Sequence, residues 1–211
     1  MSNLSRRSFV QALAATGAAA PIAAACQTMD SAMPSGPFFA SRKLPIGIQL
    51  YTLGDLMTKN MDGTLQQISQ IGYKSVELAG YLGKTPKQLR ASFDAVGLSC
   101  TSAHVGMAKG SATEPKLLDD LSKVAADTHV IGAGHVICPA MSPPEDIKIA
   151  PNPGEGFRVI SRIVQAMTED HWKRMSHQFN DIGRKLKAEG LAFGYHNHNF
   201  EFVKINGRTG F

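Results

Sequence analysis

Two histidines one residue apart, His196 and His198 in the run Gly194-Tyr-His-Asn-His-Asn-Phe-Glu-Phe202, have the spacing in this chain that points most directly to chemistry. On an extended strand, positions i and i+2 face the same way, so both imidazoles can turn a neutral nitrogen toward one divalent cation. Ligation of a metal or a substrate is the reading this spacing favours, and a structural polar cluster is the alternative. Glu77 stands in Ser75-Val-Glu-Leu-Ala79, where a buried carboxylate is costly unless paired or bound to something. His104 closes Ser102-Ala-His104. Taken singly, Glu77 also fits a salt bridge to a lysine, and His104 fits a hydrogen-bonded core histidine. The remaining histidines, His129, His135, His171 and His177, sit where structural or surface roles are expected.

The elements that must hold these residues follow from periodicity. Strand-like and helix-like stretches alternate from residue 42 onward, which argues for βαβ units and a parallel sheet. Strands are expected at residues 46–52, 75–79, 98–105, 135–139 and 191–198. The first helix is expected to follow Asp62 as cap, bury Leu65, Ile68 and Ile71, and stop at Gly72. The second opens with a capping box, Thr85 with Gln88 and with Pro86 at the first helical position, and buries Leu89, Phe93 and Val96. Leu117, Leu118, Leu121, Val124 and Ala125 have helical spacing in a third, and residues 168–189 form a long fourth with Trp172, Met175, Phe179, Ile182 and Leu186 on one face. Between strand four and that helix, residues 140–167 read as a Pro- and Gly-rich loop that could cover a pocket.

Side-chain parity separates the two parallel-sheet architectures. The fifth strand puts Leu191, Phe193 and Tyr195 on one face and Ala192, Gly194, His196 and His198 on the other. In the first, Gly47, Gln49 and Tyr51 oppose Ile46, Ile48 and Leu50. Large apolar residues outside and small or polar ones inside fit a (β/α)8 TIM barrel, here incomplete with about five βα units. An open sheet covered on both faces would be more uniformly apolar. On this parity Gln49, Glu77, His104, His196 and His198 all lie at carboxyl ends of strands and point into the barrel, where barrel enzymes keep their active sites.

Length and composition fit one folded domain: 211 residues, 43% hydrophobic, 18% charged. The net charge of +5 is scattered, so no nucleic-acid partner is expected. Cys26, Cys100 and Cys138 form no regular framework, and the latter two are expected as buried thiols. Residues 1–41 read as a twin-arginine export signal and linker. Arg6-Arg7-Ser8-Phe9 precedes residues 12–25, a small, apolar stretch too short and too weakly hydrophobic to be a transmembrane span. The expected destination is the periplasm, with acylation of Cys26 as a lipid anchor the alternative to simple cleavage. Gly83-Lys84-Thr85 lacks the earlier glycine of a phosphate loop, and Gly132-Ala133-Gly134 runs from helix to strand, the reverse of a dinucleotide-binding turn.

Gly47-Ile-Gln-Leu-Tyr-Thr52, Gly72-Tyr-Lys-Ser-Val-Glu-Leu-Ala79, Ser102-Ala-His104 and residues 194–202 together resemble the sugar phosphate isomerase/epimerase family of xylose isomerase-like barrels. The resemblance covers about residues 45–203 and implies a divalent metal ion, Mn, Mg, Co or Zn, gripping two adjacent oxygens of a small-molecule sugar or sugar phosphate. Carboxylates then move a proton between neighbouring carbons through an enediolate. It puts His196 at a metal-ligand position and Gln49, Glu77 and His104 at positions lining the sugar pocket. Together with the spacing, the expected site has His196 and His198 on the metal, Glu77 and His104 catalytic, and Gln49, Tyr51, His198 and Glu201 on the substrate. Family members continue past strand five, and residues 42–211 are fewer than the about 250 of a complete barrel. A truncated chain with an incomplete metal site is therefore expected, its bare sheet edges open to covering by another copy. The same barrel also suits a keto-sugar lyase, hydratase or hydrolase, or a non-catalytic periplasmic sugar-binding fragment.

Overall fold

The computed structural model describes residues 38–107 and 114–209. Most of the expected export signal, and Cys26 with it, lie outside the described residues. The chain divides into residues 1–44 and 45–211. The described part of the first unit contains a single helical turn, α1 (Phe38–Ser41), in which Phe38 meets Phe39 edge-on and the Arg42 guanidinium covers the Phe38 ring at 4.4 Å.

In the second unit five strands, β1 (Gly47–Gln49), β2 (Ser75–Leu78), β3 (Ser99–His104), β4 (His135–Cys138) and β5 (Ala192–Tyr195), form one parallel sheet in sequence order. Between them run α2 (Asp55–Lys59), α3 (Met61–Ile71), α4 (Pro86–Ala95), α5 (Leu121–Ile131), α6 (Val159–Ala166) and α7 (Glu169–Ala188), and a short hairpin of β6 (Lys204–Ile205) and β7 (Arg208–Thr209) follows. No described helix is long and apolar enough to cross a membrane.

Local chemistry sets the helix ends. Asn60, not Asp62, caps α3, its side chain accepting from Gly63 N at 3.1 Å. Leu65 and Ile68 are buried as expected, whereas Ile71, at the last turn before left-handed Gly72, is 74% exposed. The Thr85 capping box forms in full: Thr85 N donates to Gln88 Oε1 at 2.9 Å, and Gln88 N to Thr85 Oγ1 at 3.3 Å. Helix α5 begins later than the leucine spacing suggests, because the Asp120 carboxylate accepts from Lys123 N and caps it there. Leu117 is buried ahead of the helix and Leu118 is exposed.

The long stretch between β4 and α7 is not all loop. Val159, Ile160, Ile163 and Val164 make α6, with Ile163 and Val164 buried beside Met141, Met167, Trp172 and Phe200. Their i, i+1, i+4, i+5 spacing is a helical signal hidden by the prolines and glycines before it. A hydrogen bond between His171 and Asp146 (3.0 Å) and an ion pair from Arg162 to Glu155 (2.8 Å) tie this stretch down further. Two other clusters complete the core: Leu65, Val76, Leu78, Leu89 and Phe93 on one side, Val124, Val136, Cys138, Ile182 and Leu186 on the other. Both thiols are buried, which pushes Cys100 up to about 11 and Cys138 to about 12.

Candidate functional site

Glu77 sits between Val76 and Leu78, which are 1% and 0% exposed, so strand alternation turns its carboxylate to the opposite, open face of β2. A register shift then selects its neighbours. Val76 pairs with Cys100, but Glu77 pairs with Ser102, and Thr101 is passed over. Without that irregularity, Glu77 would stand beside a residue of opposite parity. With it, Ser102 and His104 both fall on the carboxylate's side.

The contacts are close. Ser102 Oγ donates to Glu77 Oε2 at 2.5 Å, and His104 Nε2 lies 2.8 Å from Glu77 Oε1. An ionised carboxylate only accepts, so His104 carries its proton on Nε2. Gln49, the last residue of β1, hydrogen-bonds the Glu77 carboxylate, and its Nε2 lies 3.2 Å from His104 Nε2. Burial alone would push Glu77 up, but the Ser102 hydrogen bond, the His104 charge and the bonds from Gln49 and His104 outweigh it and hold the carboxyl below its usual range. Burial lowers His104, against the pull of Glu77 and reinforced by His196 and His198, so the imidazole is neutral near pH 7.

His196 joins the pair from the far edge of the sheet. Strand β5 ends at Tyr195, one residue short of the histidine, but His196 N still donates to Cys138 O at 2.9 Å and prolongs the ladder. Its ring stands edge-on to His104, with centroids 5.4 Å apart and planes at 80°. Donor atoms of Glu77, His104 and His196 all lie within 4.8 Å of one another, and all three residues are half-buried. One carboxylate and two imidazoles make a donor set suited to a first-row divalent ion.

The remaining expected site residues are placed differently. Tyr51 is not on the first strand, which stops at Gln49; it lies in the 3-10 turn Leu50–Leu53 and is 78% exposed. His198 is not on β5 either, and so does not share a strand face with His196. Its ring stacks on Phe200 at 5.0 Å and 10°, and lies 4.8 Å from His196 at a tilt. Glu201, expected to touch substrate, is fully buried in the 3-10 turn Asn199–Phe202, with Oε1 taken by Tyr195 Oη at 2.5 Å and Oε2 by His198 N at 2.6 Å. Ser102 joins the site as well, two residues from His104 on the same strand face, a signal the sequence carries only through that spacing. The outlying histidines are structural or peripheral: His129 bonds Glu189 O, His135 bonds Thr101 O, His171 pairs with Asp146, and His177 lies on exposed α7 surface.

Two solved structures, both sugar phosphate isomerase/epimerases from Parabacteroides distasonis ATCC 8503, match 76% of this chain with a TM-score of 0.56 each. Identities are 26% and 23%, and the match covers 57% and 53% of those chains. The five βα units are part of a xylose isomerase-like TIM barrel. The chain thus spans little more than half the length of these relatives. No protein-family model matches the sequence, and no curated protein does. Within such a barrel, the carboxyl ends of the strands form the catalytic face, and this is where Gln49, Glu77, His104 and His196 converge.

Proposed function

We propose that this chain belongs to a metal-assisted isomerase or epimerase that moves a proton between adjacent carbons of a small sugar or sugar phosphate. The observation that carries the reading is the convergence of Glu77, His104 and His196 within 4.8 Å near the carboxyl ends of the strands, the end that bears the active site in barrel enzymes. Similarity at 26% identity to a sugar phosphate isomerase/epimerase supports it.

Glu77, His104 and His196 would hold the cation, with His198 beside them. When bound, the ion supplies Lewis acidity that makes a proton next to a carbonyl removable near neutral pH. The chain's own residues do the rest. Ser102, bonded to Oε2, favours the ionised form of the Glu77 carboxylate that a cation would need, and Oε1 faces His104. His104, neutral near pH 7, would serve as a ligand through a ring nitrogen that carries no proton, with the other nitrogen left to donate. The Gln49 amide, within reach of both groups, orients them and offers a polar contact to a hydroxyl.

Export belongs to the same reading: Arg6-Arg7-Ser8-Phe9 would carry the folded protein to the periplasm, where Cys26 could receive a lipid. The direct test of activity is to incubate the protein with Mn²⁺ and free ketoses in D₂O and follow the carbon-bound protons by NMR. Loss of the proton signal beside the carbonyl, abolished in His196→Ala, is the expected result. Inert ketoses together with elimination from a keto-glycoside would replace this reading with that of a lyase.

A further inference from the structure

Glu201 is the most deeply buried acidic side chain among the described residues, at 0% exposure, and so cannot reach a substrate. Both its oxygens are used within the chain. Oε1 accepts the Tyr195 hydroxyl at 2.5 Å, and Oε2 accepts the His198 backbone N–H at 2.6 Å. Those two partners bracket His196 and Asn197, the stretch where the chain leaves β5 and loses its ladder after the bond from His196 N to Cys138 O. Tyr195 is itself fixed, its ring against Phe179 of α7 at 5.0 Å.

A buried carboxylate is costly to keep, and here it is held by short hydrogen bonds on both oxygens. What it gains is geometry, because a segment that has just left a sheet is pinned at both ends by one rigid group. We infer that Glu201 is a positioning residue, whose clasp of Tyr195 and His198 holds the intervening His196 at the Glu77–His104 pair. This rests on the metal-site reading above.

The test uses Glu201→Ala and Glu201→Gln in the whole chain, each first shown to unfold cooperatively. Glutamine can preserve both links, accepting from His198 N and donating to the rotatable Tyr195 hydroxyl. Amide hydrogen exchange at residues 196–198 should speed up at least tenfold in Glu201→Ala and stay near wild type in Glu201→Gln. Co²⁺ affinity, read from the d–d absorption of the bound ion, should fall about tenfold or more in Glu201→Ala and recover in Glu201→Gln. If Glu201→Ala does not fold, Tyr195→Phe, which removes one link, should give an intermediate loss on both readouts. Unchanged exchange, or unchanged Co²⁺ affinity in a folded Glu201→Ala, overturns the inference. If the wild type binds no Co²⁺, the metal-site reading fails separately, and faster exchange in Glu201→Ala alone still supports the clasp.

Discussion

Ser102 stands opposite Glu77, and not Thr101, because the β2–β3 register slips between Val76 and Glu77, and the result is a 2.5 Å hydrogen bond from the serine hydroxyl to the carboxylate. This bond is the largest influence holding Glu77 down against its own burial. Ser102→Ala should therefore raise the Glu77 titration midpoint, measured by carboxyl ¹³C NMR, and cost about 1.5–3 kcal/mol of stability, as expected for a hydrogen bond to a charged group. An unmoved midpoint would mean that the pairing does not set the charge of the site.

Acid should destabilise the protein in two steps. His104 is held below its ordinary value of 6.5, so its contribution is complete above that pH and is lost as pH falls through the depressed folded value. Glu77 is held below 4.5, so its contribution is present above 4.5 and is lost only as pH falls further, through its own lowered value. Urea midpoints measured from pH 7.5 downward should decline first below about 6.5, the unfolded histidine value. A Glu77→Gln/His104→Asn double variant should show a flatter profile. A wild-type profile no steeper than the variant's would contradict the assignment.

Gly194 leaves room on the inner sheet face for its neighbour: a Cβ built there would meet Ile137 Cδ1 at 3.0 Å. Gly194→Val should cost about 1–3 kcal/mol by overpacking, and Ile137→Val in the same chain should recover part of it. Additive losses in the double variant would show that the two positions do not compete for space.

Helix α6 gives a check on the stretch that reads as loop. Ile163 is 4% exposed and packs with Met141, Trp172 and Phe200, so Ile163→Ala should lower stability by about 2–5 kcal/mol in chemical denaturation. A change within about 0.5 kcal/mol, typical of surface positions, would place this segment outside the core.

The contrast between Glu77 and Tyr51 shows what the sequence could carry. Alternation with Val76 and Leu78 fixed the direction of Glu77, and the same parity placed Gln49 and His104 correctly, because each lies within its strand. Tyr51 and His198 lie where the chain has left the sheet and no longer alternates, so parity carried past Gln49 and past His196, the last residue bonded to the ladder, assigned faces that do not exist. The role of Ser102 depends on a one-residue slip between two strands, a pairing property that neither strand's sequence displays alone. The burial of Glu201 depends on a turn built by residues on both sides of it. By contrast the Thr85 capping box, whose partners are local, was legible in full.

A metal centre in this chain requires the convergence of Glu77, His104 and His196. Calorimetric titration of the purified, metal-stripped chain with Co²⁺ should show one ion per chain, with affinity lowered at least tenfold in each of Glu77→Gln, His104→Ala and His196→Ala, and unaffected in Tyr51→Ala. Absence of binding to the wild type, or affinities unchanged in all three site variants, would contradict it.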